Sequence, residues 1–493
     1  MRRVTLCFCL FMFLQGYSQH DRPNIIFILA DDLGYGDVSS FNPQGKIATP
    51  NIDQIAKAGL RFTDAHSGSA VCTPTRYGLL TGRYSWRSTL KKGVLVHYDK
   101  PIIPETRTTM ASMLKQKGYR TAVMGKWHLG WNWPTSDGQR PVDNANAFNL
   151  DLSKPLEGGP VDLGFDYFFG MDAPNFPPYV YVENKHTMAI PTKFYPSQPY
   201  SDCRPGRGIE GWDLETIMGE LQQRSVKYID GAAKQQQPFF LYLPLTAPHT
   251  PISPSNAFKG RSGLNVYADF VMEVDQFVGA IRDALTRNHI SDNTILVFTS
   301  DNGCSPEANY AFLASKGHDP SAGFRGKKTD LFEGGHRVPL VLQWPAKVKP
   351  SGTVSQTISL NDFMASFAAI TGYRLKDDEG EDSYDLSPLL FNAGYMRTLR
   401  EATVHHSLYG DFAIRQGKWK LLVSPGSGGW SPPQTDKEKE GLPALQLYDL
   451  EADPAEKENL QQRYPKKVKE LQDLLNRYIS QGRSTPGKPQ QND

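Results

Sequence analysis

Short uninterrupted apolar runs, each ending in polar residues, recur along the chain. The first, Ile25 to Ala30 in "NIIFILADD", stops at two aspartates. Runs of this length without alternation suit strands buried on both faces of a sheet. "TAVMGKWH", "PFFLYLPLTAPH" and "NTILVFTSDNG" have the same form. Stretches with helical spacing, "TTMASMLKQKG" and "YADFVMEVDQFVGAIRDAL", precede the first and last of these three. Strands alternating with amphipathic helices predict an α/β fold with a mostly parallel sheet flanked by helices. In such sheets ligands gather outside the carboxyl ends of the strands.

Residues 134–212 are rich in Pro, Gly and aromatics and weak in periodicity, which predicts long loops walling a pocket. Near "LSPLLFNAGYMRTLRE" the pattern changes. "FAIRQGKWKLLV" and "LQLYDLEADP" alternate over short strands, and "KKVKELQDLLNRYI" reads as a polar closing helix. The expected organisation is a catalytic domain over 20–394, a smaller C-terminal α+β subdomain over 395–482, and a disordered tail over 483–493.

At the other end, Arg2 and Arg3 precede the apolar run "VTLCFCLFMFL", and "QGYSQ" supplies small residues near a cleavage point around Ser18 or Gln19. This reads as a signal peptide over 1–19, too short to span a bilayer. A buried first helix is the other reading of the same run. No later stretch is apolar for long enough to cross a membrane. The expectation is a soluble exported protein, periplasmic or secreted. With 39% hydrophobic and 22% charged residues the chain reads as folded and globular. A formal net charge of +2 sets aside nucleic-acid partners.

Removing the leader leaves Cys72, Cys203 and Cys304, an odd number and no disulfide framework. Cys72 lies in "SAVCTPTRYGLLTGR", close to Arg76, and reads as a disulfide half, a nucleophile, or the precursor of another group.

The polar strand ends carry the candidate chemistry. Asp31 and Asp32 follow one run, and Asp301 and Asn302 follow another. If both strands share a sheet, these oxygen donors converge and favour a hard cation, Ca²⁺ or Mg²⁺. Either pair alone also suits a turn or a helix cap. Lys126 and His128 lie just past a third strand, and His249 holds the corresponding place in another unit. Two histidines and a lysine there suit proton transfer and anion binding, although a lone histidine is commonly structural. Lys327, Lys328 and Glu333 form a further group in "FRGKKTDLFEGGHRVP".

Taken together these residues resemble a family. Cys-x-Pro-x-Arg followed by "YGLLTGR" is similar to the signature of the type I sulfatases, in which the cysteine is oxidised to Cα-formylglycine. "NIIFILADDLGYGD", "GYRTAVMGKWHLG", "APHTP", "TSDNG" and "FEGGHRVP" follow in the family's order, and "YDLEADPAEKENL" is similar too. The resemblance implies the fold of the alkaline phosphatase superfamily. It also implies that Asp31, Asp32, Asp301 and Asn302 hold one cation, usually calcium, to which converted Cys72 supplies an oxygen. Arg76 would steady the formylglycine, Lys126 and His128 would flank its hydroxyls, and His249 would face the leaving oxygen. The family places a lysine five residues before the Glu of Glu-Gly-Gly, which selects Lys328. The partners implied are a sulfated glycan and a formylglycine-generating or anaerobic sulfatase-maturing enzyme.

The stretch from Asp301 to Pro339 resembles bacterial arylsulfatase-like enzymes acting on 6-sulfated galactose or N-acetylgalactosamine. An exo-acting carbohydrate sulfatase is expected. Trp131 and Trp133, with His97, Tyr98, Asn175 and His318, are candidate pocket residues, the aromatic faces suiting sugar C–H surfaces. The tryptophans serve equally well as packing between loops and core. The rival readings are a phosphodiesterase or phosphonate hydrolase of the same superfamily, and a non-catalytic glycan-binding protein. Two-metal phosphatases need a second set of His and Asp ligands, which the pattern does not offer.

Overall fold

Strand β1 (Asn24–Ala30) lies near the middle of a ten-stranded sheet in the computed structural model, which describes residues 22–197 and 202–493. The expected leader falls outside the described residues. The other strands are β2 (Leu60–Phe62), β3 (Arg120–Lys126), β4 (Tyr167–Met171), β5 (Val182–Glu183), β6 (His186–Thr187), β7 (Phe239–Pro244), β8 (Thr294–Ser300), β9 (Leu340–Gln343) and β10 (Gly352–Val354). Their order is β10-β2-β9-β8-β1-β7-β3-β4-β5-β6. Strands β8, β1, β7, β3 and β4 run parallel, so their carboxyl ends share one edge. The register pairs Ala30 with Ser300, which sets Asp31 beside Asp301 at that edge.

Both faces of β1 are buried, which is why its sequence does not alternate. Ile25, Phe27 and Leu29 enter one apolar cluster and Ile26, Ile28 and Ala30 the other. Helices α1 (Cys72–Thr81), α2 (Met110–Gln116), α3 (Ile217–Ala232) and α4 (Val266–Arg287) cover the sheet. Asn265 caps α4, its side chain accepting from the Ala268 N–H. This is the α/β architecture that the sequence predicts, a mostly parallel sheet flanked by helices.

The C-terminal part is a four-stranded antiparallel sheet of β11 (Thr403–His406), β12 (Phe412–Gln416), β13 (Trp419–Val423) and β14 (Gln446–Asp449), with α5 (Pro465–Ser480) against it. Val404, Ile414, Leu421 and Leu447 meet Leu471, Leu474 and Leu475 of α5 there. Tyr84 and Trp86, which follow α1 in the chain, join the same cluster. The small sheet is thereby packed onto the segment that carries Cys72.

Two expectations are corrected. Residues 134–212 are not loops alone, since β4 lies among them and pairs in parallel with β3. Its apolar run is short and sits among prolines and glycines, which mask it. Residues 483–493, expected to be disordered, are held by hydrogen bonds. Arg83 Nη2 donates to the Gln491 carbonyl at 2.8 Å, and the Asp493 N–H donates to the Arg87 carbonyl at 2.7 Å. Arg83 and Arg87 are buried and need acceptors, and the polar tail supplies them. Among the described residues no helix is long and apolar enough to cross a membrane.

Candidate active site

The carboxyl edge of the parallel strands gathers the residues that the sequence singles out. Asp31 and Asp32 follow β1, Asp301 and Asn302 follow β8, and Lys126 ends β3 with His128 two residues on. His249 lies in the loop after β7, and Cys72 is the first residue of α1. Asp32 and His128 have positive φ, 66° and 55°, a strained backbone of the kind stored at functional sites.

Charge pairing within this group is dense. Arg76 stands one helical turn after Cys72. Its Nη2 and Nε donate to Asp301 Oδ2 at 2.8 and 3.2 Å, and its Nη1 donates to the Lys126 carbonyl at 3.0 Å. Lys126 Nζ lies 2.7 Å from Asp31 Oδ2, and Lys328 Nζ lies 2.7 Å from Asp32 Oδ2. Lys327, the alternative lysine, is only half-buried, and the structure brings Lys328 to the site. Burial alone would raise the Asp31 carboxyl, but Lys126, His249, Arg76 and Lys328 together hold it well below the usual range. Burial and the neighbouring Asp31 push Asp301 up, despite Arg76.

The oxygens in this group fit a cation. Asp31 Oδ1 and Asn302 Oδ1 are buried and accept no hydrogen bond, although Arg76 Nη2 stands 3.4 Å from the Asp31 oxygen. Asn302 spends its amide donor on Asp32 Oδ1 at 2.7 Å, so only its oxygen is left over. Ligand atoms of Asp31, Asp32, Cys72 and His249 all lie within 4.8 Å of one another. A carboxylate-rich donor set of this kind suits a hard divalent ion.

Position 72 carries a thiol here, buried in the same group. Burial pushes it up, which outweighs Lys126 and Lys328 and leaves it a poor thiolate. Among the described residues no disulfide links Cys72, Cys203 and Cys304 to one another. Of the three readings of Cys72, the precursor is the one these surroundings suit.

The two histidines are poised differently. His128 Nε2 donates to the Leu95 carbonyl at 2.8 Å, which leaves Nδ1 unprotonated. That Nδ1 is buried with no partner. Burial, with Lys126 and Arg76 nearby, holds His128 well below its ordinary value, so the ring is neutral. His249 Nδ1 donates to the Thr250 carbonyl, and its Nε2 lies 3.6 Å from Asp32 Oδ2. Burial and Lys328 lower His249 as well. The site thus holds one free imidazole base, a second imidazole beside a carboxylate, and three fixed cationic side chains.

The pocket candidates divide. His97 packs on Phe176 at 5.7 Å between ring centres, and Phe176 packs on His128 at 5.7 Å, which ties His97 to the site. The Tyr98 hydroxyl donates to Asp143 at 3.0 Å, and Asn175 Nδ2 donates to Asp202 Oδ2 at 3.1 Å. Trp131 is corrected, being 1% exposed and packed against Trp127, Trp133 and Phe168 in the core. His318 is corrected too, with Nε2 2.8 Å from Asp37 and Nδ1 accepting the Lys46 N–H. Sequence reasoning passed over Asp172, buried just past β4, which accepts the His128 N–H and is pushed up to about 7 by burial. Its signal was present: "YFFGMD" is one more apolar run ending in an acid.

Comparison with known proteins agrees with this geometry. A family model described as Sulfatase matches residues 23–373. The chain is 35% identical to an N-acetylgalactosamine-6-O-sulfatase of Bacteroides thetaiotaomicron, over 92% of each chain. It is 32% identical to human arylsulfatase A, over 89% of this chain and 83% of that one. A solved Bacteroides thetaiotaomicron structure, described under the metabolism of multiple glycosaminoglycans, superposes with a TM-score of 0.80. It has 33% identity and covers 93% of this chain and 99% of its own. A phosphonate monoester hydrolase of Agrobacterium radiobacter, at 19% identity and a TM-score of 0.59, shares the fold alone. With the signature around Cys72, the match over residues 23–373 and the relatives along nearly the whole chain, this protein belongs to the sulfatase family of sulfuric ester hydrolases.

Proposed function

We propose that this sulfatase is exported and removes sulfate, from chain ends, from sulfated glycans carrying 6-O-sulfated galactose or N-acetylgalactosamine. The observation that carries the catalytic part is the cluster of buried oxygen donors on Asp31, Asp32 and Asn302 in the group that contains Cys72. The relative named for N-acetylgalactosamine 6-O-sulfate supports the choice of sugar. The N-terminal apolar run supports export to the periplasm or beyond.

Asp31, Asp32, Asp301 and Asn302 would hold the divalent cation, calcium in this reading, which when bound neutralises charge on the ester oxygens. Position 72, once oxidised by a maturing enzyme and hydrated, supplies two hydroxyls on one carbon. One can attack sulfur and the other can let the bound sulfate go. The remaining work falls to side chains in hand. Arg76, Lys126 and Lys328 present positive charge to the ester as its S–O bond breaks. His128 Nδ1 accepts a proton from position 72, because its Nε2 proton is committed to the Leu95 carbonyl. His249 presents Nε2 to the departing sugar oxygen, Asp32 at 3.6 Å offsetting part of the effect by which burial and Lys328 disfavour the protonated ring. Lys328, on the same carboxylate, assists that proton transfer.

The test is sulfate release from a panel of sulfated monosaccharides and oligosaccharides, using enzyme with position 72 converted. Release from 6-O-sulfated galactose or N-acetylgalactosamine units is expected. Activity confined to small aryl sulfates would remove the glycan reading.

A further inference from the structure

We propose that Trp430, from the C-terminal subdomain, is a specificity-determining platform on which the sugar ring of the substrate stacks. The inference rests on the carbohydrate reading above and names a residue for it. Trp430 is a large aromatic side chain left half-exposed, and it belongs to none of the four apolar clusters of the described residues. Single half-exposed aromatics are common on protein surfaces, so its position relative to the site is what matters.

The Lys328 ammonium lies over the Trp430 ring, 6.0 Å from its centre. Lys328 is itself 2.7 Å from Asp32 Oδ2, and His249 Nε2 is 3.6 Å from the same oxygen. The indole therefore borders the side of the site where the sugar oxygen departs. A ring face in that place offers an apolar, rigid surface to the C–H face of a pyranose.

The platform is also held still. The Trp430 N–H donates to Thr329 Oγ1 at 2.9 Å, and the Ser431 N–H donates to Asp330 Oδ1 at 3.0 Å. The Leu331 N–H donates to the Ser427 carbonyl at 2.7 Å. Gly429 allows this close approach, since a Cβ there would stand 2.5 Å from the Thr329 carbonyl. These backbone bonds join the loop bearing Trp430 to the segment bearing Lys328, so the backbone at Trp430 stays in register with that lysine.

The experiment measures binding to full-length protein carrying Cys72→Ser, which separates recognition from turnover. The ligands are galactose 6-sulfate and inorganic sulfate, measured by calorimetry. Adding Trp430→Ala should weaken galactose 6-sulfate about tenfold or more and leave inorganic sulfate within about twofold. Trp430→Phe should restore most of the lost affinity. Equal weakening of both ligands, unchanged affinity for the sugar, or no binding of the sugar sulfate before Trp430 is altered would each overturn the proposal. Failure of the broader carbohydrate reading shows elsewhere, as no sulfate released from any sugar ester by the converted native enzyme.

Discussion

Arg76 holds Asp301 with two nitrogens on one carboxylate oxygen, at 2.8 and 3.2 Å, with both side chains fully buried. Cutting a buried pair on one side leaves an uncompensated charge, which costs about 3–5 kcal/mol. Arg76→Ala should therefore lose about that much stability in urea unfolding as well as its activity. A variant of native stability would mean that the pair does not bear on the fold.

Conversion of Cys72 is read directly by peptide mass. Oxidation of the thiol to the aldehyde lowers the mass of the peptide by about 18 Da, provided that the protein is made with a maturing enzyme. Cys72→Ala should show no shift and no sulfate release. Activity that survives this change would end the formylglycine reading.

Stripping divalent cations should cost both activity and thermal stability, because the buried carboxylates of Asp31, Asp32 and Asp301 would again repel one another. At about one hundred times its Kd a bound ion contributes about 3 kcal/mol. Melting curves with and without chelator, then with calcium restored, check this. Identical curves together with full activity would exclude a resident ion.

His128 offers the free imidazole nitrogen of the site. Loss of a positioned general base lowers turnover about 10²–10⁴-fold. His128→Ala should show that fall in kcat with position 72 still converted, whereas KM should change little. A large rise in KM with kcat preserved would instead assign His128 to binding.

Acid sensitivity has an identifiable contributor away from the metal site. His406 is buried, and burial lowers it from 6.5 to about 4, a hydrogen bond to the Lys91 backbone opposing the effect and the charge of Lys91 adding to it. The unfolded chain takes up this proton first. The stability it contributes is complete above about pH 6.5 and is lost as pH falls through about 4. Between about pH 7 and about pH 5 the native protein should lose about 2 kcal/mol more than His406→Phe. Parallel unfolding curves for the two proteins at both pH values would count against it.

Much of the site was legible because type I chemistry demands particular residues at strand ends, and apolar runs announce strands. Asp31, Asp32, Asp301, Asn302, Lys126, His128 and His249 all follow such runs directly or by a short loop. Trp131 and His318 were misread because burial is not written in residue type. An aromatic beside a catalytic motif looks the same in sequence whether it faces the pocket or the core. Asp172 and Trp430 were missed for the complementary reason, since one follows a short run inside a loop-rich stretch and the other lies about a hundred residues from Lys328 in the chain.

Local sequence determined the strands, the donor types and the signature around Cys72, because periodicity and side-chain chemistry act over a few residues. Only the tertiary structure decided which of these groups meet. Parallel register aligns the carboxyl ends of β1, β3 and β8, and the C-terminal sheet brings its own loop to the edge so formed. Contacts between residues hundreds of positions apart depend on how the layers close around a shared core, and no local pattern encodes that closure.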